Sequence, residues 1–130
     1  NFISKRKENY TYLFEQLKHL EKHLILPYPN DNSDPSWFGF PITIKPDSNI
    51  TRNDLILYLD KNKIGTRLLF AGNLIKQPYF KNVDYRISGK LDNTELTMDN
   101  TFWVGIYPAL DYEHFDYMGS IFNSYFKSIV

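Results

Sequence analysis

Cysteine is absent from the 130 residues. The chain can therefore form no disulfide, present no thiolate nucleophile, and ligate no zinc ion or iron-sulfur cluster through sulfur. An excess of one charge is lacking too: 15 basic side chains stand against 15 acidic ones, for a formal net charge of zero. General attraction to nucleic acid or to an anionic membrane is thereby missing, and any anion site has to be local. No apolar run approaches the ~20 residues that cross a bilayer. The basic start at Lys5, Arg6 and Lys7 leads into no signal-peptide core. These absences read as a soluble, cytoplasmic chain with neither nucleic acid nor membrane as partner. Methionine occurs only at Met98 and Met118, and the chain begins at Asn1, which reads as a piece of something longer.

What is present suffices for one folded domain. The composition is 42% apolar and 23% charged, with 17% aromatic residues, an ordinary globular balance at a length that buries a single core. Ile3, Tyr10, Leu13, Phe14, Leu17, Leu20 and Leu24 recur at spacings of three and four, predicting an amphipathic helix over residues 2–25 that Pro27 and Pro29 end. A strand is expected over 37–45, demoted by Pro41 to an edge strand or a bulge. Thr51 and Asp54 read as a capping box for a helix over 52–62, with Asn62 as its left-handed terminator. Strands over 66–70 and 101–107, a loop or short helix over 71–80, and a short helix capped by Asn93 or Thr94 follow. The last helix starts near Asp111 and buries Phe115, Met118, Phe122, Tyr125, Phe126 and Ile129. This alternation predicts an α/β (α+β-like) fold, a small sheet with helices mainly on one face.

Most short motifs are weak. His19 and His23 are four apart on the first helix, but two imidazoles make no metal site and the zinc protease Glu is missing. Asn9 and Asn49 open glycosylation sequons that nothing else supports. Trp37-Phe38-Gly39-Phe40 has the look of an RNA-stacking strand, although core packing explains these rings better. No Walker loop, nucleophile elbow or paired carboxylate stands out. Arg67 is the most informative single residue, since a guanidinium on a short strand leading into Ala71-Gly72-Asn73 can grip a phosphate. Arg86, in Asp84-Tyr85-Arg86, is a weaker candidate of the same kind.

Longer segments carry a resemblance. Lys63-Ile64-Gly65-Thr66-Arg67-Leu68-Leu69-Phe70-Ala71-Gly72-Asn73 through Pro78, Pro35 through Thr43, Tyr85-Arg86 through Thr94, and Met98 through Pro108 together resemble the C-terminal region of the DegT/StrS family of vitamin B6-dependent sugar enzymes. Arg6, Asn9 and Leu13 are similar to the helix that follows that family's large domain. Within the family, Phe70-Ala71-Gly72-Asn73-Leu74 stands where sugar aminotransferases have a Tyr-x-x-Pro-Leu-His segment. The chain thus looks like the lipopolysaccharide-biosynthesis branch, the CDP-4-keto-6-deoxy-D-glucose 3-dehydrases.

That resemblance implies the C-terminal domain of a fold-type I aminotransferase-like enzyme, with a largely antiparallel sheet of three to four strands. Residues 1–130 would be the small domain, and 1–26 the helix connecting it to a large domain. It implies removal of the C3 hydroxyl from a CDP-sugar, a PMP or PLP cofactor, a [2Fe-2S] cluster with a separate iron-sulfur reductase, and a homodimer. A histidine would replace the usual Schiff-base lysine, but His19, His23 and His114 match no such motif. Catalytic, cofactor and metal residues are therefore expected outside this chain, which alone should bind no cofactor and be inactive. The implied substrate wall is Arg67 as anion contact, Phe70, Asn73 as hydrogen-bond donor, and Gln77 and Arg86. The first helix and the Phe70–Phe80 segment should then expose apolar surface. Alternatives are a same-family aminotransferase domain and a noncatalytic ferredoxin-like binding module.

Overall fold

The computed structural model describes residues 1–129. Among these, the helices are α1 (Phe2–Leu17), α2 (Arg52–Lys61), α3 (Asp92–Asn100) and α4 (Tyr112–Ser128), and the strands are β1 (Leu24–Ile25), β2 (Gly39–Ile44), β3 (Thr66–Leu68) and β4 (Thr101–Gly105). The four strands form one antiparallel sheet in the order β1-β2-β4-β3. Side chains alternate across it. Phe40, Ile42 and Ile44 of β2, Phe102 and Val104 of β4, and the following Ile106 are buried in one cluster with Leu13 and Leu17 of α1, Leu55 and Leu59 of α2, and Phe115 and Phe122 of α4. The sheet is thus covered on that inner face, while its other face is open around Pro41 and Trp103, which are half-buried, and closes at Thr101, which is buried.

The first helix is shorter than its apolar spacing predicts. It ends at Leu17, passes through a 3-10 turn at Lys18–Leu20, and gives way to the two-residue strand β1. Leu24 and Leu26 are buried and Ile25 is exposed, so a period of two lies hidden under the helical spacing. Pro27 biases Leu26 toward extended backbone, and pairing of Leu24 with Ile44 completes the switch. A helix over residues 1–26 is corrected accordingly.

Pro41 does not put β2 at the edge. β2 lies between β1 and β4, but β1 reaches only Thr43 and Ile44. Opposite Pro41 that side of β2 is unpaired, so its missing N–H breaks no ladder. Other boundaries shift by local geometry. The left-handed residue after α2 is Lys63, at φ 63°, and not Asn62. Ile64, buried in the core, donates its N–H to the Leu59 carbonyl at 2.9 Å, and this hydrophobic closure sets the frame. α3 starts at Asp92 behind Leu91, so Asn93 and Thr94 lie inside it and do not cap it. β3 and β4 end at Leu68 and Gly105, short of the expected Phe70 and Tyr107. Ile129 follows α4 as an exposed residue.

One polar group ties the helix layer to the end of the sheet, and another closes the start of α4. Asn9 on α1, with no exposed surface, donates its side-chain amide to the carbonyls of Ile106 at 3.3 Å and Tyr107 at 3.1 Å. Its burial also removes it as a glycosylation site. At the start of α4, the Asp111 carboxylate accepts from the His114 backbone N–H, and the Asp111 backbone N–H donates to His114 Nδ1. His114 hydrogen bonding holds the Asp111 carboxyl below its ordinary range.

Candidate functional site

Antiparallel register places Arg67 of β3 directly opposite Trp103 of β4, and Trp103 opposite Pro41 of β2. Directly opposed residues share a face, so all three lie on the open side of the sheet, away from the core. The Arg67 guanidinium sits over the indole, 5.9 Å from its centroid. Among the described residues, no hydrogen bond or ion pair engages it. A planar cation presented this way can meet an anion bidentately.

Beside Arg67 runs a groove of about 290 Å³ lined by Trp37, Phe38, Pro41, Leu69, Phe70 and Trp103, with Gly39 at its floor. Gly39 is required by clearance: a Cβ there would lie 2.3 Å from Trp103 Cε3. Phe38 packs on the indole with centroids 5.2 Å apart. Arg6 of α1 fixes this corner by donating to the carbonyls of Trp37 and Phe38, both at 3.1 Å. Phe70 is 85% exposed and has φ 47°, a left-handed conformation that a bulky side chain rarely adopts.

The predicted wall residues fall into different settings. Arg67 stands on the open face over Trp103, and Phe70 lines the neighbouring groove. Asn73 is 2% exposed; its Oδ1 accepts from Ile75 N–H at 3.3 Å, while its buried Nδ2 has no partner. Gln77 donates to the Ala71 carbonyl and so braces the loop. Arg86 is solvent-exposed, as are all of residues 81–90, and it does not line the groove. Trp103, Gly39, Phe38 and Arg6 were not singled out by sequence as a set. The available signal was a glycine between two aromatics, and a tryptophan at the outward position between Phe102 and Val104. The RNA-stacking reading fails on geometry, since Phe40 is fully buried in the core while Phe38 faces outward.

The model of the DegT/DnrJ/EryC1/StrS aminotransferase family matches residues 1–123. The chain belongs to this family. The lipopolysaccharide biosynthesis protein RfbH of Salmonella typhimurium is 54% identical over 96% of this chain and 29% of that protein. A dTDP-4-dehydro-2,6-dideoxy-D-glucose 3-dehydratase of Saccharopolyspora spinosa is 46% identical over 90% of this chain and 25% of its own length. The DegT-family chain therefore spans less than a third of these relatives. Among solved structures, Escherichia coli GDP-4-keto-6-deoxy-D-mannose-3-dehydratase with bound hydrated PLP matches with a TM-score of 0.83 at 30% identity, covering 92% of this chain and 30% of that one. An aminotransferase from Psychrobacter cryohalolentis matches with a TM-score of 0.86 at 14% identity, covering 98% of this chain and 35% of that one, which speaks for the fold alone.

The side chains of this DegT-family chain do not by themselves fit a PLP site. His19 contacts Asn123, His23 stacks on Phe126 with centroids 5.0 Å apart, and His114 caps α4. None of the three lines the groove beside Arg67. Among the described residues, no three His, Asp or Glu side chains converge to hold a metal ion. No helix among them is long and apolar enough to cross a membrane.

Proposed function

We propose that this chain is the C-terminal, substrate-facing domain of a nucleotide-sugar 3-dehydrase that removes the C3 hydroxyl of a CDP-linked 4-keto-6-deoxyhexose for lipopolysaccharide O-antigen synthesis. The observation that carries this is the juxtaposition of strong identity to RfbH with an Arg67 guanidinium standing unpaired on the open face. Arg67 is the anion contact, and Phe70 stands at the groove mouth. Asn73 is the hydrogen-bond donor to the nucleotide sugar through its unpartnered Nδ2, with Gln77 bracing the loop that carries it. Arg86 is the secondary anion contact of this wall.

The PMP or PLP cofactor, the histidine at the Schiff-base position, the [2Fe-2S] cluster, the iron-sulfur reductase and the homodimer belong in this reading to the whole enzyme. A bound cofactor of this type would supply an electron sink to the whole enzyme. This chain's residues bind and orient the substrate. Phe2 and Ile3 of α1, together with Phe70, Leu74 and Tyr79, are exposed and form the surface that meets the larger domain. The chain alone is inactive.

Titration of the chain with CDP, followed by amide chemical shifts, tests the reading. Changes should centre on Arg67 and Asn73, and Arg67→Ala should weaken CDP binding about three- to tenfold, the range for an exposed charge-assisted contact. Shifts confined to other regions, or preferential RNA binding through Trp37, would overturn it.

A further inference from the structure

We propose that Trp103 is a positioning residue: its indole aims the Arg67 guanidinium along the open face of the sheet, in a seat that only glycine at position 39 leaves free. This rests on the reading that Arg67 meets the substrate's anionic group. An unpaired arginine on a three-residue edge strand would otherwise sample many rotamers, and ordering it on binding would weaken the contact. Stacking on an indole restricts the guanidinium plane while leaving its N–H donors free, because a cation–π contact uses the face and not the edge.

The seat is built from several elements. β4 presents Trp103 opposite Arg67, and β2 supplies Gly39, over which the indole lies. Phe38 closes one side of the ring. Arg6 of α1 pins the backbone of Trp37 and Phe38 through two carbonyls, so the helix layer fixes the strand corner on which the indole rests. Trp103 is only partly buried and contributes nothing to the inner core cluster, so a tryptophan placed here is not explained by core packing.

Two measurements on the 130-residue chain test this. In NMR spectra, the Arg67 side-chain methylenes should be shifted upfield by the indole ring current. That shift should vanish in Trp103→Leu, persist in part in Trp103→Phe, and shrink in Gly39→Ala, where both Arg67 and Trp103 are intact but the indole is displaced. With CDP as probe, Trp103→Leu should weaken binding about two- to fivefold, the range of an exposed cation–π contact, with Trp103→Phe recovering part of the loss. In the Arg67→Ala background, Trp103→Leu should change CDP affinity no further. Circular dichroism keeps unfolded variants out of the comparison. Arg67 signals indifferent to Trp103→Leu would overturn the positioning role, as would an equal loss of CDP affinity in the Arg67→Ala background. If the unaltered chain or Arg67→Ala shows that CDP does not depend on Arg67, the functional reading fails instead, and the NMR comparison still decides the positioning.

Discussion

Replacing Asn9 is the sharpest test of how the helix layer is held to the sheet. Asn9 is completely buried, and its Nδ2 donates to the carbonyls of Ile106 at 3.3 Å and Tyr107 at 3.1 Å, where the chain leaves β4. Asn9→Ala removes the buried amide donor shared by these two carbonyls and, at 3.5 Å, by that of Leu110, leaving the Ile106 carbonyl without it in a buried setting. At about 1–1.5 kcal/mol per bond, with a small cavity added, the loss should be about 2–4 kcal/mol. A domain of this kind has about 5–15 kcal/mol in total, so the effect is large. With a urea dependence of about 2 kcal/mol per molar, the midpoint should fall by about 1–2 M, with an unchanged slope. Asn9→Asp should be worse, because it places a charged acceptor against two carbonyls with no donor left. Asn9→Leu should be milder than Asn9→Asp, because it also removes the buried amide oxygen that has no partner. Urea unfolding followed by circular dichroism measures all three. A loss below about 0.5 kcal/mol for Asn9→Ala, or an aspartate variant as stable as the leucine one, would refute the reasoning.

Two further outcomes follow from local geometry. The Asp111 carboxyl is held low by its hydrogen bond with His114, so its contribution is fully present above the ordinary carboxylate value of about 3.9 and is lost as pH falls through the lower folded value. Asp111→Asn keeps a capping side chain but removes the titration, so the variant should be less stable than the parent near neutrality and the two stability curves should converge as pH falls through that acid limb; a gap that stays constant or widens on acidification would contradict the assignment. Phe70 is exposed and left-handed, and asparagine tolerates that backbone at little cost. Phe70→Asn should therefore leave unfolding stability unchanged or raise it by up to about 1 kcal/mol, while lowering hydrophobic-dye binding. A clear destabilisation in a thermal melt would show that the ring packs against something after all.

The local elements were largely legible in the residues. α2 announces itself through the capping residue Thr51, and α4 through helical spacing at Phe115 and Phe122, because both signals act within a few residues. β2 and β4 were recognisable from their β-rich apolar stretches. The resemblance of Lys63–Pro78 and the neighbouring segments to the DegT/StrS family was a property of ordered residues, and Arg67 stood out with it. β1 was illegible because Leu20, Leu24 and Leu26 satisfy a helical and an extended pattern equally until Ile44 offers a pairing partner. Pro41 misled for a related reason: whether a strand is an edge at one residue depends on how far its neighbour reaches.

The sequence by itself determined the helical and apolar patterns, the absence of sulfur chemistry, the family resemblance and the candidacy of Arg67, since each depends on residue type and short spacing. Only the tertiary structure decided that Arg67 faces Trp103, that the indole needs Gly39, that Asn73 is buried with a free donor, and that Asn9 locks α1 to the end of β4. Those facts depend on strand register and on contacts between residues as distant along the chain as Asn9 and Tyr107, which no local pattern encodes.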